Sequence, residues 1–206
     1  MTHTLHRKGT RESLNRDYVF LCMAAKGINE AGADEKMREF LRIVLRHNAV
    51  NLGDMRTGNV FCCSTDEIIN KVTSTSIVHG VFTDPETVSK MMASLKKASL
   101  GMSVVVSGPF RSVEEACKKT GITPHSVDYS AGIWGKTEKL ARPELLECTT
   151  MCGHAMISAN LVEDIVKRIK AGVINAREGS IEIGRVCCCC IYNPVRAEKI
   201  LKKLAT

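Results

Sequence analysis

The sequence predicts an α/β fold with a helical, cysteine-rich subdomain at its C-terminal end. Up to about residue 142, short apolar runs suited to strands alternate with segments of helical periodicity, as expected of helices packed on a sheet. Beyond that point only helical patterns occur, and six of the ten cysteines lie there. We expect three to five strands, arranged either as a doubly wound sheet or as the split β-α-β units of a ferredoxin-like sheet.

These patterns divide the chain into a basic N-terminal lead-in at 1–16, an α/β domain at 17–142 and a helical, metal-binding subdomain at 143–206. The chain has 206 residues, of which 44% are hydrophobic and 25% charged. A chain of this size can bury a core without disulfide bonds. No apolar run approaches the roughly 20 residues of a membrane span. The lead-in also lacks the apolar stretch of a secretory signal, so we expect a cytoplasmic protein without membrane contact.

The α/β domain begins with an apolar run at 18–24, which predicts a strand buried on both faces. Residues 34–46 carry apolar side chains at helical spacing and predict a helix. The segments that follow are expected to be a polar loop at 51–59, a strand at 60–63 and a short helix from Ser64 or Thr65 to residue 72.

The middle of the chain has the clearest alternation. Residues 77–83 and 102–106 predict strands, and Asp84 and Pro85 predict the start of the helix between them. Gly101 is expected to end that helix. The remaining elements predicted here are a helix with a capping box of Ser112 and Glu115, ending at Gly121, and a strand at 125–131.

Only helices are predicted in the C-terminal third. Residues 155–171 form a strongly amphipathic pattern that predicts a long helix. A second helix is expected at 176–186, although two glycines weaken its pattern. Asn193 as a cap and Pro194 in the first turn predict a last helix, which ends near Leu204.

The charge distribution argues against nucleic-acid binding. The net charge is +7, but the two ends of the chain, 1–16 and 194–206, contribute +3 each. The body is therefore nearly neutral, and we expect the basic ends to be solvated. The chain has nine aromatic residues, and none is interleaved with a basic cluster as single-strand binding requires.

The cysteines occupy different sequence environments. Cys22 lies in a predicted strand and Cys117 in a predicted helix, where cysteine usually packs as a small apolar residue. Cys62 and Cys63 end a predicted strand, so alternation should direct one inward and the other outward.

The other six cysteines form two groups, each directly before a predicted helix. Helix N-termini stabilise thiolates, and thiolates rather than thiols bind metals. Neighbouring side chains of an extended run diverge, so the run 187–190 cannot direct all four sulfurs at one ion. We expect two cysteines of the run to bind, from Cys187, Cys189 and Cys190, together with Cys152, and Cys148 and His154 are further candidates.

Four interpretations of these residues remain open. The first is an iron–sulfur cluster, [4Fe–4S] rather than [2Fe–2S], with a redox role in anaerobic-type metabolism: electron transfer, or reduction or sulfur handling at a partly open cluster. The second is zinc that stabilises a small-molecule-binding or protein-binding module. The third is reactive-thiol chemistry, and the fourth is cysteines without a metal. A redox partner protein or a small-molecule substrate would follow from the first, and a homodimer is compatible with all four.

The α/β domain offers no recognised catalytic motif. The glycines at 27 and 32 have a P-loop spacing, but Ala33 and Asp34 stand where a P-loop needs lysine and serine or threonine. Candidates for polar contacts with a small ligand are Asp54, Arg56, Asn59 and Tyr129.

Overall fold

The computed structural model describes residues 6–206, so residues 1–5 of the predicted lead-in lie outside the described residues. A five-stranded sheet lies within the α/β part of the chain. Its strands are β1 (Tyr18–Met23), β2 (Asn51–Asp54), β3 (Gly58–Asn59), β4 (Ile77–Phe82) and β5 (Ser103–Ser107). The helices are α1 (Arg11–Leu14), α2 (Ala33–Arg46), α3 (Thr65–Asn70), α4 (Pro85–Ala98), α5 (Phe110–Thr120), α6 (Pro143–Thr149), α7 (Ala159–Lys170), α8 (Ala176–Arg185) and α9 (Pro194–Ala205).

The sheet has the order β3-β2-β4-β1-β5, and each neighbouring pair of strands is antiparallel. β1 and β2 are joined through α2 with β4 between them, and β4 and β5 are joined through α4 with β1 between them. These are two split β-α-β units, so the ferredoxin-like arrangement is confirmed and the doubly wound arrangement, which needs parallel strands, is wrong.

The two faces of the sheet contact different parts of the chain. Phe20 and Cys22 of β1 belong to one buried cluster with α2 and α4, and the Phe20 ring meets Phe82 edge to face. Val19 of β1 and Val81 of β4 belong to a second cluster, with residues of the C-terminal helices. The prediction of a strand buried on both faces is therefore confirmed, because the helical subdomain covers the face that α2 and α4 leave open.

The polar segment 51–59, predicted as a loop, is instead the hairpin β2–β3. Asp54 makes the tight turn, because its carboxylate accepts hydrogen bonds from the Arg56 N–H at 3.3 Å and from Thr57 Oγ1 at 3.3 Å. The strand predicted at 60–63 is wrong: the chain turns there, and the Cys62 and Cys63 N–H groups both donate to the Asn59 carbonyl.

Two other expected features are absent from the part of the chain that the structure describes. Residues 125–131 form no strand. Ser112 does not cap α5. Pro109 stands at the N-cap position of that helix, and the Ser112 hydroxyl instead donates to Asn15 Oδ1 at 3.1 Å. The predicted caps Ser64, Asp84 and Asn193 are confirmed by side-chain hydrogen bonds to their helices.

The C-terminal third differs from the prediction where Cys148 and Cys152 lie. The structure contains α6, which the sequence did not predict, and Cys148 lies in its last turn. α7 begins at Ala159 rather than at residue 155, with Ser158 as its cap. Over residues 6–206, no helix combines the length and the apolar character that crossing a membrane requires.

Two of the basic residues expected to be solvated are buried. The Arg196 side chain is 1% exposed, and its Nη1 pairs with Asp17 Oδ2 at 2.7 Å. Arg7, whose side chain is 7% exposed, pairs with Asp17 Oδ1. The N-terminal segment therefore packs onto the first strand and the last helix, because Asp17 supplies a buried counter-charge for both guanidinium groups.

Candidate metal centre

Three buried cysteines lie close together in the helical subdomain: Cys152 comes from one loop, and Cys187 and Cys189 come from a turn distant from it in sequence. The Sγ atoms of Cys152, Cys187 and Cys189 all lie within 4.8 Å of one another, and the three residues are buried. Cys187 Sγ and Cys189 Sγ are 3.6 Å apart. This group, the cysteine triad, could hold a metal ion.

Cys152 is placed by the loop between α6 and α7. The backbone N–H groups of Met156 and His154 hydrogen-bond to its sulfur. To curl back in this way the loop passes through Ala155, which has a φ of 54°. A left-handed backbone at a residue other than glycine costs of the order of 1 kcal/mol, so the surrounding contacts must hold the loop in this shape.

The run 187–190 follows the end of α8. The Cys187 N–H donates to the Gly184 carbonyl at 3.1 Å, and the Cys190 N–H donates to the Cys187 carbonyl at 3.2 Å. Within this tight turn, Cys187 and Cys189 direct their sulfurs toward Cys152.

Two asparagines of the sheet hold this turn through hydrogen bonds to its backbone. Asn51 of β2 donates from Nδ2 to the carbonyls of Cys190, at 3.2 Å, and Tyr192, at 2.9 Å. Asn59 of β3 donates to the carbonyls of Gly184, at 3.0 Å, and Cys187, at 3.1 Å. The α/β domain therefore sets the position of two of the three triad sulfurs.

The three thiols influence one another's protonation. Hydrogen bonds from the Cys187 and Cys189 thiols lower the pKa of Cys152, and the two loop N–H groups lower it further. Donating to Cys152 raises the pKa of Cys187 to about 12, and the same interaction raises the pKa of Cys189. The directions of these shifts favour a thiolate on Cys152 and thiols on Cys187 and Cys189.

The structure does not bring the other expected ligands into the triad. Cys190 has a φ of 59°, and its thiol turns toward β2 to donate to the Asp54 carbonyl at 3.6 Å. Cys148 is buried in α6, where desolvation raises its pKa to about 12. His154 is exposed, and its backbone N–H rather than its ring is what meets Cys152. Among residues 6–206, the group that could hold an ion consists of the triad alone.

None of the triad cysteines lies in the first turn of a helix. Cys187 lies just beyond the C-terminal end of α8, where the helix dipole disfavours a thiolate. Cys152 lies well ahead of Ser158, the cap of α7. Its thiolate is stabilised instead by loop N–H groups and by the neighbouring thiols.

The remaining cysteines lie outside the triad. Cys22 and Cys117 are buried in the α/β core, as predicted, and burial raises the pKa of Cys22 to about 12. Cys62 is exposed and Cys63 half-buried, and their thiols donate to the carbonyls of Arg185 and Thr57, respectively.

A cavity of about 410 Å³ adjoins the triad on the Cys152 side. Its walls are largely apolar, and they include Leu146, Ile157, Ser158 and Ala159. The only ionisable residues in the described lining are His6 and Cys152. The cavity thus suits a small, largely apolar molecule that carries no full charge.

Sequence reasoning missed the residues that hold the triad. Asn59 was a candidate for ligand contact, but both of its side-chain atoms bind backbone. Asp54 is buried in its turn, where it also accepts from Ser76 at 2.9 Å, and Tyr129 is exposed. Polar residues alternating in a short strand carry no signal of such a role.

The geometry alone defines this site, because comparison with known proteins adds nothing to it. No protein-family model, no characterised protein and no solved structure matches the chain.

Proposed function

We propose that the cysteine triad binds a single zinc ion through three thiolates and leaves its fourth coordination position to a small molecule in the adjoining cavity. The observation that carries this proposal is a group of three buried sulfurs, one member of which, Cys152, also lines a cavity. Zinc sites closed by four protein ligands are structural, whereas sites with three protein ligands keep a position for water or substrate.

The spacing of the sulfurs supports a single ion. Tetrahedral zinc with Zn–S bonds of about 2.3 Å holds its sulfurs about 3.8 Å apart. Cys187 Sγ and Cys189 Sγ are 3.6 Å apart, and every pair in the triad lies within 4.8 Å. Little movement is needed to close the triad on one ion.

The cavity supports a ligand-binding role for the fourth position. A bound zinc ion would act as a Lewis acid there, polarising a donor atom of the ligand or lowering the pKa of a bound water. The cavity walls lack carboxylates and amines among the described residues, so the ligand class we propose is a small neutral molecule or a thiol.

An iron–sulfur cluster with a redox role is the second candidate. The thiol-only ligand set supports it, as do the N–H groups of Met156 and His154 on the Cys152 sulfur, since such hydrogen bonds tune cluster potentials. In a [4Fe–4S] cluster each thiolate binds a different iron, which spreads the sulfurs further apart than one ion does. The triad would therefore have to open to accept the cluster.

Metal analysis after anaerobic purification separates the two candidates. We expect a colourless protein with one zinc per chain and without acid-labile sulfide. Cys152→Ala, Cys187→Ala and Cys189→Ala should each abolish binding, whereas Cys188→Ala, which removes an exposed thiol from the same turn, should not. A brown protein with iron and sulfide would establish the cluster instead, and a chain that binds neither metal would overturn both.

Cobalt substitution tests the open position. Tetrahedral cobalt with thiolate ligands absorbs visible light, and its spectrum changes when the fourth ligand is exchanged. A small thiol should alter the spectrum of the wild-type protein. Ala159→Phe, which fills the cavity, should still bind cobalt, but a small thiol should no longer alter its spectrum. A spectrum that no small ligand alters would show a closed, structural site.

A further inference from the structure

We infer that Arg7 positions the proposed metal centre, and that metal binding in turn docks the N-terminal segment, residues 6–10, over it. This inference rests on the proposed function. The N-terminal segment is far from the triad in sequence, yet its backbone and side chains contact both of the loops that carry triad cysteines.

Arg7 bridges the two cysteine loops directly. Its Nη2 donates to the Ile191 carbonyl at 2.6 Å and to the Met151 carbonyl at 3.3 Å. Met151 directly precedes Cys152, and Ile191 directly follows the cysteine run. One guanidinium group therefore sets the separation of the two loops, and a planar group with several donors suits this bridging better than an ammonium.

Charge gives a second reason for this placement. Arg7 and Arg196 both pair with the carboxylate of Asp17. Glu147, the next carboxylate, is 3.8 Å from Arg196. The Arg7 Nε is also buried without a hydrogen-bond acceptor among the described residues. Zinc with three thiolates would carry one negative charge, and the Arg7 guanidinium would lie between the two loops that hold it.

The rest of the segment is fitted to this position. The Lys8 N–H donates to Thr150 Oγ1 at 2.9 Å, and the Lys8 carbonyl accepts from Arg196 Nη2. At Gly9, with a φ of 147°, an added Cβ would lie 2.4 Å from that same Nη2. His6 lines the cavity beside Cys152. The segment thus forms one wall of the site, held by the same loops that hold the metal.

Zinc affinity of the full chain tests the positioning role. Measured by chelator competition, Arg7→Met should weaken zinc binding about tenfold or more, as loss of a group that orients metal ligands does. Arg7→Lys should recover only part of this loss. The cobalt spectrum of Arg7→Met should also shift, because the loops no longer hold the sulfurs at one spacing. Arg11→Met, at an exposed position in α1, is the matched control and should change neither the zinc affinity nor the cobalt spectrum.

Trypsin cleavage after Arg7 tests whether zinc binding docks the N-terminal segment. The experiment uses the wild-type chain, so it does not depend on a variant that could fail to fold. Zinc should slow this cleavage severalfold, since Arg7 must leave the site to enter the protease. Equal cleavage with and without zinc, or equal zinc affinity of Arg7→Met and wild type, would overturn the inference while leaving the metal centre intact. A wild-type chain that binds no zinc would instead refute the proposed function.

Discussion

Asn59 Nδ2 donates to the Cys187 carbonyl at 3.1 Å, which connects the edge strand β3 to the backbone of a triad cysteine. The same amide holds the Gly184 carbonyl at the end of α8. The triad is thus supported from two sides: the sheet holds the turn with Cys187 and Cys189, and the loop amides hold Cys152. Each support gives an expected outcome that can be measured.

Asn59→Ala should destabilise the protein by about 1–3 kcal/mol, because the Phe61 N–H loses its acceptor and the buried carbonyls of Gly184 and Cys187 each lose one of their donors. Since one of these carbonyls belongs to Cys187, zinc affinity should fall as well. Urea unfolding and chelator competition measure the two effects. Asn70→Ala, at an exposed position at the end of α3, is the control. Unchanged zinc affinity in Asn59→Ala would mean that the turn keeps its shape without the sheet.

Gly53→Ala should displace the cysteine turn from β2. An added Cβ would lie 2.5 Å from Cys190 Sγ and 2.4 Å from the Gly58 carbonyl oxygen. We expect a loss of about 1–3 kcal/mol in the free energy of unfolding, as for other overpacked sites.

Cys190→Ala should rescue Gly53→Ala only in part, because the contacts with the Gly58 carbonyl oxygen and with the Cβ of residue 190, which would lie 2.6 Å away, remain. The double variant, measured by denaturant unfolding, should therefore lie between wild type and Gly53→Ala. Full rescue would show that the sulfur is the only obstacle, and no loss in Gly53→Ala would contradict the close packing of Cys190 on β2.

Zinc binding should release about two protons near pH 7. The apo triad holds a thiolate on Cys152, whose pKa is lowered, and thiols on Cys187, with a pKa raised to about 12, and Cys189. Binding requires all three as thiolates, so affinity should rise about a hundredfold per pH unit and fall correspondingly in acid. Calorimetry in buffers of different ionisation enthalpy counts the protons. Cys188→Ala should leave the count unchanged. A count near three would contradict the thiolate on Cys152, and a count near zero would contradict the raised pKa values of Cys187 and Cys189.

The metal-free protein should lose stability above pH 9. Burial raises the pKa of Cys22 and of Cys148 from 9.0 to about 12. Between these values the unfolded chain releases protons that the folded chain retains, so the free energy of unfolding falls by about 1.4 kcal/mol per pH unit for each thiol. This stabilising contribution is complete below pH 9 and is lost as the pH rises toward 12.

Cys148→Ala should remove its share of this pH dependence, whereas Cys188→Ala, at an exposed thiol, should not. Urea unfolding between pH 8 and about 11 measures the slope. An identical slope in Cys148→Ala and wild type would mean that Cys148 is not held as a thiol in the fold.

The sequence by itself determined the elements whose signals are local. The caps Asp84 and Asn193 and the periodicity of α2 and α7 depend on neighbours a few residues away. It also singled out Cys152 and the run 187–190 as thiols that belong together, because each group directly precedes a predicted helix and the two groups could close one site. The polar hairpin β2–β3 was not predictable, since its strands have no apolar alternation: β2 forms by pairing with β4, and β3 by pairing with β2.

Tertiary structure decided which thiols form the centre and what surrounds them. Cys189 joins the triad and Cys190 leaves it because the turn packs on Gly53, which is distant in sequence. Arg7 is buried although its local sequence is basic and polar, because Asp17 and two carbonyls of the cysteine loops receive its donors. Whether a charge is solvated or buried depends on partners that only the folded chain brings within reach, and so does the ligand set of a metal.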